Sequence, residues 1–304
     1  MSPEGRKRLR ADLALAFIAL IWGSTFVLVK DALEDISTTL FLALRFGTAT
    51  VVLGTVFRRR YAAITDWRPE VQGGVLAGLF LYAGYLLQTL GLRSTTPSKS
   101  AFLTGLYIVL VPLLAAFVYK RAPRGREVLG IALATVGMGM MSLERAALRI
   151  GYGDMLTLAC AVAFAGHILV IGHYAGRVSF EALALLQVAT AAILAASTFW
   201  WTETPSVVWS GRVILALAVT SLLATALAFA VQTWAQQYTT PARTALILAL
   251  EPVFAGLTSF LFFGERFTAR AIAGAALILA GILTVELKPL RRQGHPSTHI
   301  SCDL

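Results

Sequence analysis

The chain has 304 residues, of which 57% are hydrophobic and 14% are charged, and its formal net charge is +10. Soluble domains contain about 25% charged residues, and a soluble chain of this size could not cover so apolar a surface. The composition therefore excludes a soluble enzyme, a disordered regulator and a disulfide scaffold. It indicates a protein of the lipid bilayer.

Ten membrane-spanning helices are predicted along the chain. Residues 13–29, 71–92 and 155–176 contain no Lys, Arg, Asp or Glu, and about 20 apolar residues cross a hydrocarbon core of ~30 Å. These runs are apolar on every face, whereas strands of a membrane barrel alternate in polarity, so we predict an all-α integral membrane protein. The predicted spans are 12–30, 36–57, 71–92, 99–119, 127–143, 153–173, 181–201, 213–235, 241–263 and 270–287.

The basic residues are concentrated on one predicted side of the membrane. With the amino terminus placed inside, the inner segments carry 17 of the 26 Lys and Arg residues and the outer segments carry 8, which fits the positive-inside rule. We therefore expect a multi-pass protein of the cell (inner or plasma) membrane with two cytoplasmic tails, 1–11 and 288–304. This distribution also argues against nucleic acid as a partner. The basic segment 5–10 is typical of a signal peptide as well, but no small-x-small cleavage site follows, which favours a retained first span.

The sequence repeats itself at an offset of 144 residues. Gln-Thr at 88–89 and Thr-Thr-Pro at 95–97 recur at this offset, and an offset of 142 aligns the earlier parts, including Asp12 with Asp154. Collinear matches between polar residues are unusual in so apolar a chain, so they indicate a duplicated unit.

The duplication predicts two five-helix units, 12–144 and 151–287. Because five is odd, the second unit must enter the membrane from the opposite side, which makes the two units inverted repeats. Inverted repeats are characteristic of secondary transporters, which hold their substrate at mid-depth between the halves. The pattern thus predicts transport of a small molecule by alternating access.

Several short motifs resemble those of the EamA family of drug/metabolite transporters. They are Trp-Gly-Ser-Thr-Phe at 22–26, Leu-Arg-Phe at 44–46, Gly-Asp at 153–154, Glu-Pro-Val at 251–253 and Phe-Gly-Glu-Arg at 263–266. The resemblance covers about 12–287 and implies ten helices and an exporter or permease of amino acids, metabolites or amphipathic compounds. One departure is Tyr-Lys-Arg-Ala at 119–122, where the first unit of the family usually has Gly-Glu-Arg.

Glu251 is the only acid well inside a predicted span, and the repeat aligns it with Tyr107. An intramembrane carboxylate is costly unless it is neutralised, paired or facing water. Glu251 could bind an amine or carry a proton, or it could be a protonated acid that bridges helices or a partner for Arg45. Pro252 beside it predicts a kink in the ninth span.

Arg45 lies about nine residues into the second span, where its guanidinium stays charged. It could attract the carboxylate of a substrate into the cavity, or it could form an ion pair between helices. The sequence favours the structural role. Its repeat-equivalent residue, Gln187, is neutral, so the site need not be symmetric.

Two glutamines, Gln88 and Gln232, occupy matched places in the two units. Each has an aromatic residue three positions earlier, Tyr85 and Phe229 respectively, and this spacing puts the ring and the amide on one helix face. Such a face suits an amphipathic organic substrate, but polar side chains also join helices in membranes. Both roles stay open.

Trp22 lies at mid-depth in the first span and is predicted to line the pathway, with Phe164 at the equivalent position. His167, one turn later, could relay protons, although a neutral, hydrogen-bonded histidine is the commoner case. Together with Arg45 and Glu251 it is a candidate for proton or charge coupling. The glycines at 73, 74 and 78 and between 130 and 139 are expected to serve close helix packing.

No cofactor or metal site is predicted. His295 and His299 lie in a polar tail, and the chain has no His-Glu-x-x-His, no Gly-x-Ser-x-Gly and no nucleotide-binding motif. A channel-like facilitator, or less plausibly an intramembrane enzyme, is the alternative to a carrier. The substrate, the direction of flux, the coupling ion and the oligomeric state are left open by the sequence.

Overall fold

The computed structural model describes residues 3–120, 123–142, 150–263 and 268–286. In this part of the chain the structure is helical, and the only β-type pairing is a single bridge between Ile36 and Val207. The helices are α1 Pro3–Ala32, α2 Thr38–Val56, α3 Arg58–Tyr61, α4 Arg68–Ser94, α5 Pro97–Gly105, α6 Tyr107–Tyr119, α7 Gly125–Ser142, α8 Tyr152–Tyr174, α9 Phe180–Thr202, α10 Gly211–Ser221, α11 Ala228–Ala235, α12 Pro241–Leu248, α13 Glu251–Phe263 and α14 Ala269–Glu286. A π-helical segment, Leu222–Leu227, joins α10 to α11 without a break.

Seven helical stretches among the described residues are long and apolar enough to cross a membrane. They are α1, α2, α4, the α5–α6 pair, α8, α9 and the continuous helix Gly211–Ala235. The protein is therefore a multi-pass membrane protein. The three other predicted spans coincide with α7, the α12–α13 pair and α14, and the number of ten spans stays a prediction.

The first helix extends beyond the predicted membrane span. The sequence pattern placed its start near residue 12, but α1 begins at Pro3, so most of the predicted amino-terminal tail is helical. This does not contradict the predicted span, because apolarity marks only the part of a helix that lies in lipid, and the predicted bounds 12–30 stay a prediction. Arg, Lys and Leu are good helix formers in water, and Pro3 and Glu4 suit the first turn.

Two of the predicted spans are broken helices. The span 99–119 divides into α5 and α6 at Leu106, and the span 241–263 divides into α12 and α13 at Ala249 and Leu250. The predicted kink before Pro252 is confirmed, since a proline at the second position of α13 has no N–H to donate to the Leu248 carbonyl. The two breaks fall 144 residues apart, at equivalent positions of the repeat.

Equivalent helices of the two units lie antiparallel. In the contact between α7 and α14, Gly130 faces Gly281 and Gly137 faces Gly274, and a Cβ on Gly130 would be 2.7 Å from the Gly281 carbonyl oxygen. The start of α2 likewise meets the end of α9, where the Thr39 and Thr202 hydroxyls are 3.1 Å apart. The role predicted for the glycines is confirmed, because a side chain at these positions would separate the helices.

The glycines of α4 serve the same purpose. A Cβ on Gly73 would be 2.7 Å from the ring of Tyr174 in α8, and Cβ atoms on Gly74 and Gly78 would collide with α9 at Leu186 and Thr190. The bundle is thus packed through backbone contacts. Its outer surface is apolar, with side chains such as Phe117 and Trp201 more than four-fifths exposed, as a surface covered by lipid requires.

A loop contact joins the two units at one end of the bundle. Asp35, after α1, accepts hydrogen bonds from the Ser210 hydroxyl at 2.6 Å and from Arg212 at 3.0 Å, while Arg212 also pairs with Glu34 at 2.7 Å. The Ser210 hydroxyl and the Arg212 guanidinium hold the pKa of Asp35 below its ordinary value. This contact ties the α1–α2 loop to the α9–α10 loop.

Candidate functional site

A single cavity brings together all the residues that the sequence singled out. It contains about 680 Å³ of space that no protein atom fills, including the part open to the outside. The predicted residues that line it are Trp22, Arg45, Tyr85, Gln88, Tyr107, Phe164, His167, Phe229, Gln232 and Glu251. Its other lining residues are Thr25, Phe26, Val29, Thr89, Leu92, Thr104, Ile168 and Leu248. That they bind a substrate stays a prediction.

Both units contribute to the cavity wall. The first unit supplies residues from α1, α2, α4, α5 and α6, and the second supplies residues from α8, α11, α12 and α13. Two of the contributors, Tyr107 and Glu251, are the first residues of α6 and α13. The broken helices therefore place side chains from mid-span at the junction of the units.

Tyr107 and Glu251 are hydrogen-bonded to each other. The Tyr107 hydroxyl donates to Oε1 of Glu251 at 3.0 Å, and both residues are buried, at 4% and 5% exposed. Among the described residues no Lys, Arg or His lies within 4.0 Å of the Glu251 carboxylate. The pair to Arg45 that the sequence allowed is therefore not formed, and the partner of Glu251 is its own repeat-equivalent residue.

A glycine brings α1 against the first turn of α13. A Cβ on Gly23 would collide with the backbone carbonyl oxygen of Glu251 and would lie 3.1 Å from the Ala255 backbone nitrogen. The next residue, Ser24, has its hydroxyl 3.1 Å from that of Thr258. This close approach places Trp22 and Glu251 on the same cavity.

Arg45 is held by neutral groups. It is 4% exposed, its Nε donates to the Thr225 hydroxyl at 2.7 Å, and one terminal nitrogen donates to the Tyr85 hydroxyl at 3.1 Å. The guanidinium carbon lies 4.3 Å from the centroid of the Tyr85 ring, close enough for a cation–π interaction. No described carboxylate is within ion-pair distance, so the predicted interhelical ion pair is wrong in this structure. The apolar run that surrounds Thr225 gave no sign of this partner.

The π-helical segment supplies the acceptors that hold Arg45 and Trp22. The Ala224 carbonyl oxygen accepts from Trp22 Nε1 at 2.8 Å and from Arg45 at 3.4 Å. Widening a helix to the i→i+5 pattern frees carbonyl groups of this kind, and π segments are frequent at functional sites. The equivalent stretch of the first unit, 78–83, is regular α-helix, so the two walls differ.

Four aromatic rings of the cavity wall pack against one another. Trp22 and Phe229 have ring centroids 5.4 Å apart, while Tyr85 lies edge-on to Phe164 at 5.3 Å and to Phe229 at 6.1 Å. Edge-on contacts of this kind fix the rings relative to one another. The wall therefore offers rigid apolar surface beside the Arg45 cation.

Polar side chains complete the wall through contacts that the sequence did not predict. Gln88 donates from Nε2 to the Thr104 hydroxyl at 3.1 Å. His167 Nε2 lies 2.6 Å from Oε1 of Gln187, whose own Nε2 donates to the Thr233 hydroxyl at 3.0 Å. His167 is thus a buried, hydrogen-bonded histidine, and Gln187 is the residue that contacts it. The repeat alignment could have suggested Gln187, because it is equivalent to Arg45.

Two equivalent ion pairs lie outside the cavity and join the units. Lys99, in the first turn of α5, pairs with Asp154 in α8 at 2.6 Å, and Arg243, in the first turn of α12, pairs with Asp12 in α1 at 2.6 Å. The offsets of 144 and 142 residues relate the two bases and the two acids respectively. Lys30, at the carboxyl end of α1, donates to the carbonyl oxygens of Leu92 and Arg93 in the last turn of α4 and of Thr95 just after it, and so lies near the start of α5. Since Asp12 is 18 residues earlier on α1, the two pairs are separated by about 27 Å of helix.

No group of three or more potential metal-ligating side chains occurs in the described ranges. Residues 121–122, 264–267 and 287–304 lie outside those ranges. They include His295, His299, the end of the Tyr-Lys-Arg-Ala segment at 119–122 and most of the Phe-Gly-Glu-Arg motif at 263–266. Among the described residues, the chemistry of the site is that of hydrogen bonds, one cation, one acid and aromatic surface.

Comparison with known proteins agrees with this architecture. The model of the EamA-like transporter family matches the chain twice, at residues 9–143 and 151–287. This chain belongs to the EamA-like transporter family. An uncharacterized transporter of Archaeoglobus fulgidus is 37% identical over 290 residues, which cover 94% of this chain and 88% of the relative.

More distant relatives match over most of their own length and have the same kind of name. The uncharacterized transporter YoaV of Bacillus subtilis is 22% identical over 90% of this chain and 96% of its own, and YetK of the same organism is 26% identical over 96% and 91%. A crystal structure superposes on 91% of this chain and 96% of its own with a TM-score of 0.75 and 22% identity, which shows a shared fold. The family and its relatives indicate a membrane transporter rather than an enzyme.

Proposed function

We propose that this EamA-like protein is a secondary-active transporter, an exporter or permease of small amphipathic metabolites such as amino acids. The substrate binds in the central cavity, which opens alternately to the two sides of the membrane. The observation that carries the proposal is the placement of a buried guanidinium, Arg45, and a buried carboxyl group, Glu251, on one cavity between aromatic rings. Neither group has an oppositely charged partner within 4.0 Å among the described residues.

The chemistry of this wall suits a molecule with charges of both signs and an apolar body. A carboxylate can accept from the second terminal nitrogen of Arg45, which makes no hydrogen bond among the described residues, and an ammonium group can donate to Glu251. The rings of Trp22, Phe164 and Phe229 provide the apolar contact. Pockets for small organic ligands have this composition, mostly apolar with a few polar groups that fix orientation.

The proposed architecture is ten helices in two inverted five-helix units, 12–144 and 151–287. Antiparallel packing of the equivalent helices α7 and α14, and of α2 and α9, supports the inversion. The cavity then lies between the units, as inverted-repeat transporters require. The basic residues of the predicted inner segments support two cytoplasmic termini and a cell-membrane location.

Proton coupling is part of the proposal and is assigned to Glu251. An acid buried in the membrane and bonded only to a tyrosine hydroxyl among the described residues costs little to protonate. When Glu251 is deprotonated, its carboxylate would bind the ammonium group of a substrate. When it is protonated, the carboxyl group is neutral, and the empty transporter could switch the side of the membrane to which the cavity opens. His167 lines the same cavity, with its Nε2 2.6 Å from Oε1 of Gln187, and its predicted role as a proton relay is not used in this step.

Counterflow in proteoliposomes tests the proposal. Vesicles that contain the purified protein are loaded with a high concentration of one unlabelled amino acid, diluted into a trace of the same labelled compound, and compared with protein-free vesicles. A carrier gives a transient accumulation of label, whereas a channel-like facilitator gives simple equilibration. Compounds are chosen beforehand by thermal stabilisation, since a ligand of the native state raises its melting temperature. Equilibration without accumulation, for compounds that do stabilise the protein, would contradict the proposal.

A further inference from the structure

The two units differ in the residue that lies one helical turn after their equivalent glutamines. Gln88 and Gln232 occupy matched positions on the cavity, 144 residues apart. Four residues later the first unit has Leu92 and the second has Gln236. In a helix a residue at i+4 lies on the same face, so only Gln232 has a second amide beside it.

The second amide fixes the orientation of the first. Gln236 Nε2 donates to the Ile168 carbonyl oxygen at 2.9 Å, so its Oε1 must point the other way. That Oε1 accepts from Gln232 Nε2 at 3.1 Å. Turning either amide over would set two oxygens against each other, because a backbone carbonyl can only accept. The carbonyl of Ile168 therefore determines the direction of both amides.

The result is a hydrogen-bond acceptor without a donor. Oε1 of Gln232 is buried and has no partner among the described residues, and Gln232 itself is 2% exposed. A buried polar atom of this kind is costly unless something satisfies it. Gln88, by contrast, donates to the Thr104 hydroxyl, and the residue one turn later, Leu92, has no amide.

The geometry points to Gln236 as a positioning residue for substrate specificity. It lies outside the cavity lining, and because it engages the NH₂ group of Gln232, the oxygen of Gln232 is the amide atom left for a bound molecule. This inference rests on the proposed function, and it adds that the substrate must offer an N–H or O–H donor at the Gln232 end of the cavity. Glu251 lines the same cavity and is a second acceptor, so we expect a protonated primary amine, which can donate hydrogen bonds, to bind in preference to a quaternary one, which cannot.

Two probes of equal charge and similar body test this inference. They are 2-phenylethylamine and its N,N,N-trimethyl derivative, whose binding to the purified full-length protein is measured by calorimetry. The wild type is expected to bind the primary amine at least about tenfold more tightly, the value of one hydrogen bond to a charged group. Equal affinity for the two probes, or no binding of either, would overturn the inference.

The Gln236→Met variant separates orientation from cavity size. Because Gln236 does not line the cavity, its replacement leaves the space for either probe unchanged, but it frees the Gln232 amide to turn. The primary amine should then bind about tenfold more weakly while the trimethyl compound is unaffected. Gln237→Met, the same change one residue later, is the matched control and should keep the wild-type ratio.

A wild-type ratio in Gln236→Met would overturn the positioning role. If this variant does not give a monodisperse protein, Gln236→Asn replaces it, since the shorter side chain keeps an amide but cannot reach both partners. The proposed function has its own test: a wild-type protein that shows no counterflow would contradict it, whatever the two probes show. A wild type that shows counterflow but the same affinity for both probes would retain the proposed function and lose only this inference.

Discussion

Tyr107 and Glu251 are equivalent residues of the two units, and each is the other's hydrogen-bond partner. The Tyr107 hydroxyl donates to the Glu251 carboxyl group at 3.0 Å across a separation of 144 residues in the chain. Both residues begin the second half of a broken helix. The contact therefore lies where the two units meet, on the cavity wall, and a movement of one unit against the other must change it.

Replacing Glu251 by Gln tests its role as the proton-linked group. Glutamine keeps the size and the acceptor for Tyr107 but has no ionisable proton, and a neutral amide costs less to bury than a carboxylate. Transport driven by a pH gradient should fall close to the protein-free background, while exchange of labelled for unlabelled substrate continues. Both rates are measured in the same proteoliposomes.

Tyr107→Phe is the companion variant for this experiment. It removes the hydrogen bond but leaves the acid, so transport should keep its dependence on the pH gradient even where its rate changes. Wild-type pH dependence in Glu251→Gln would remove Glu251 from the coupling mechanism. Loss of folded protein in Glu251→Gln would assign the residue a structural role instead.

Arg45 is predicted to bind the anionic group of the substrate. Arg45→Met should weaken binding of L-phenylalanine, which has a carboxylate, by about 10- to 100-fold, the range for hydrogen bonds to charged groups. Binding of 2-phenylethylamine, which has none, should change much less. Calorimetry on the two compounds measures the difference.

Thr225→Val is the matched control, because it removes a hydrogen bond that holds Arg45 in place but leaves the Arg45 charge. It removes one acceptor of the Arg45 guanidinium and should lower the free energy of unfolding by about 1–3 kcal/mol, while the charge stays on the cavity. An equal loss of affinity for both compounds in Arg45→Met would argue that Arg45 serves only to hold α2 against the π-helical segment.

The glycine contact between α1 and α13 predicts opposite outcomes for two similar substitutions. Gly23→Ala places a methyl group against the Glu251 carbonyl and should destabilise the protein by about 1–3 kcal/mol. Gly47→Ala, in α2, meets no atom within 4 Å and should be neutral or stabilise by up to about 1 kcal/mol, because alanine restricts the unfolded chain. Thermal unfolding in detergent measures both. Equal melting temperatures for the two variants would contradict the packing described for α1.

The sequence was sufficient to predict the seven membrane-capable stretches found among the described residues and the residues that line the cavity, but it did not predict the local geometry. Mid-span position and the 144-residue offset together selected Tyr107 and Glu251, because depth in the membrane and repeat symmetry are both readable from residue numbers. The π-helical segment was not predictable, since its apolar residues suit an α-helix equally well. Arg45 was assigned an ion pair because a sequence shows charges but not the free carbonyl of Ala224.

The two ion pairs Lys99–Asp154 and Arg243–Asp12 are predicted to hold opposite ends of the cavity. Each joins the fourth span of one unit to the first span of the other, so opening one end should break one pair and keep the other. Neutralising the first pair with Lys99→Met should favour opening at its end, and Arg243→Met should favour opening at the other. Charge-reversed double variants, such as Lys99→Asp with Asp154→Lys, should restore the wild-type balance.

Distances between spin labels across these two ends test the alternating-access account most directly. Labels are placed at Ser98 and Tyr152, beside the first pair, and at the equivalent positions Ala242 and Arg10, beside the second, in a protein with Cys160→Ala and Cys302→Ser. When a stabilising substrate is added or the pH is changed, one of the two distances should lengthen while the other shortens. The variants Lys99→Met and Arg243→Met should shift the two distance distributions in opposite directions. Two distances that lengthen together, or that do not respond in a protein showing counterflow, would contradict the account.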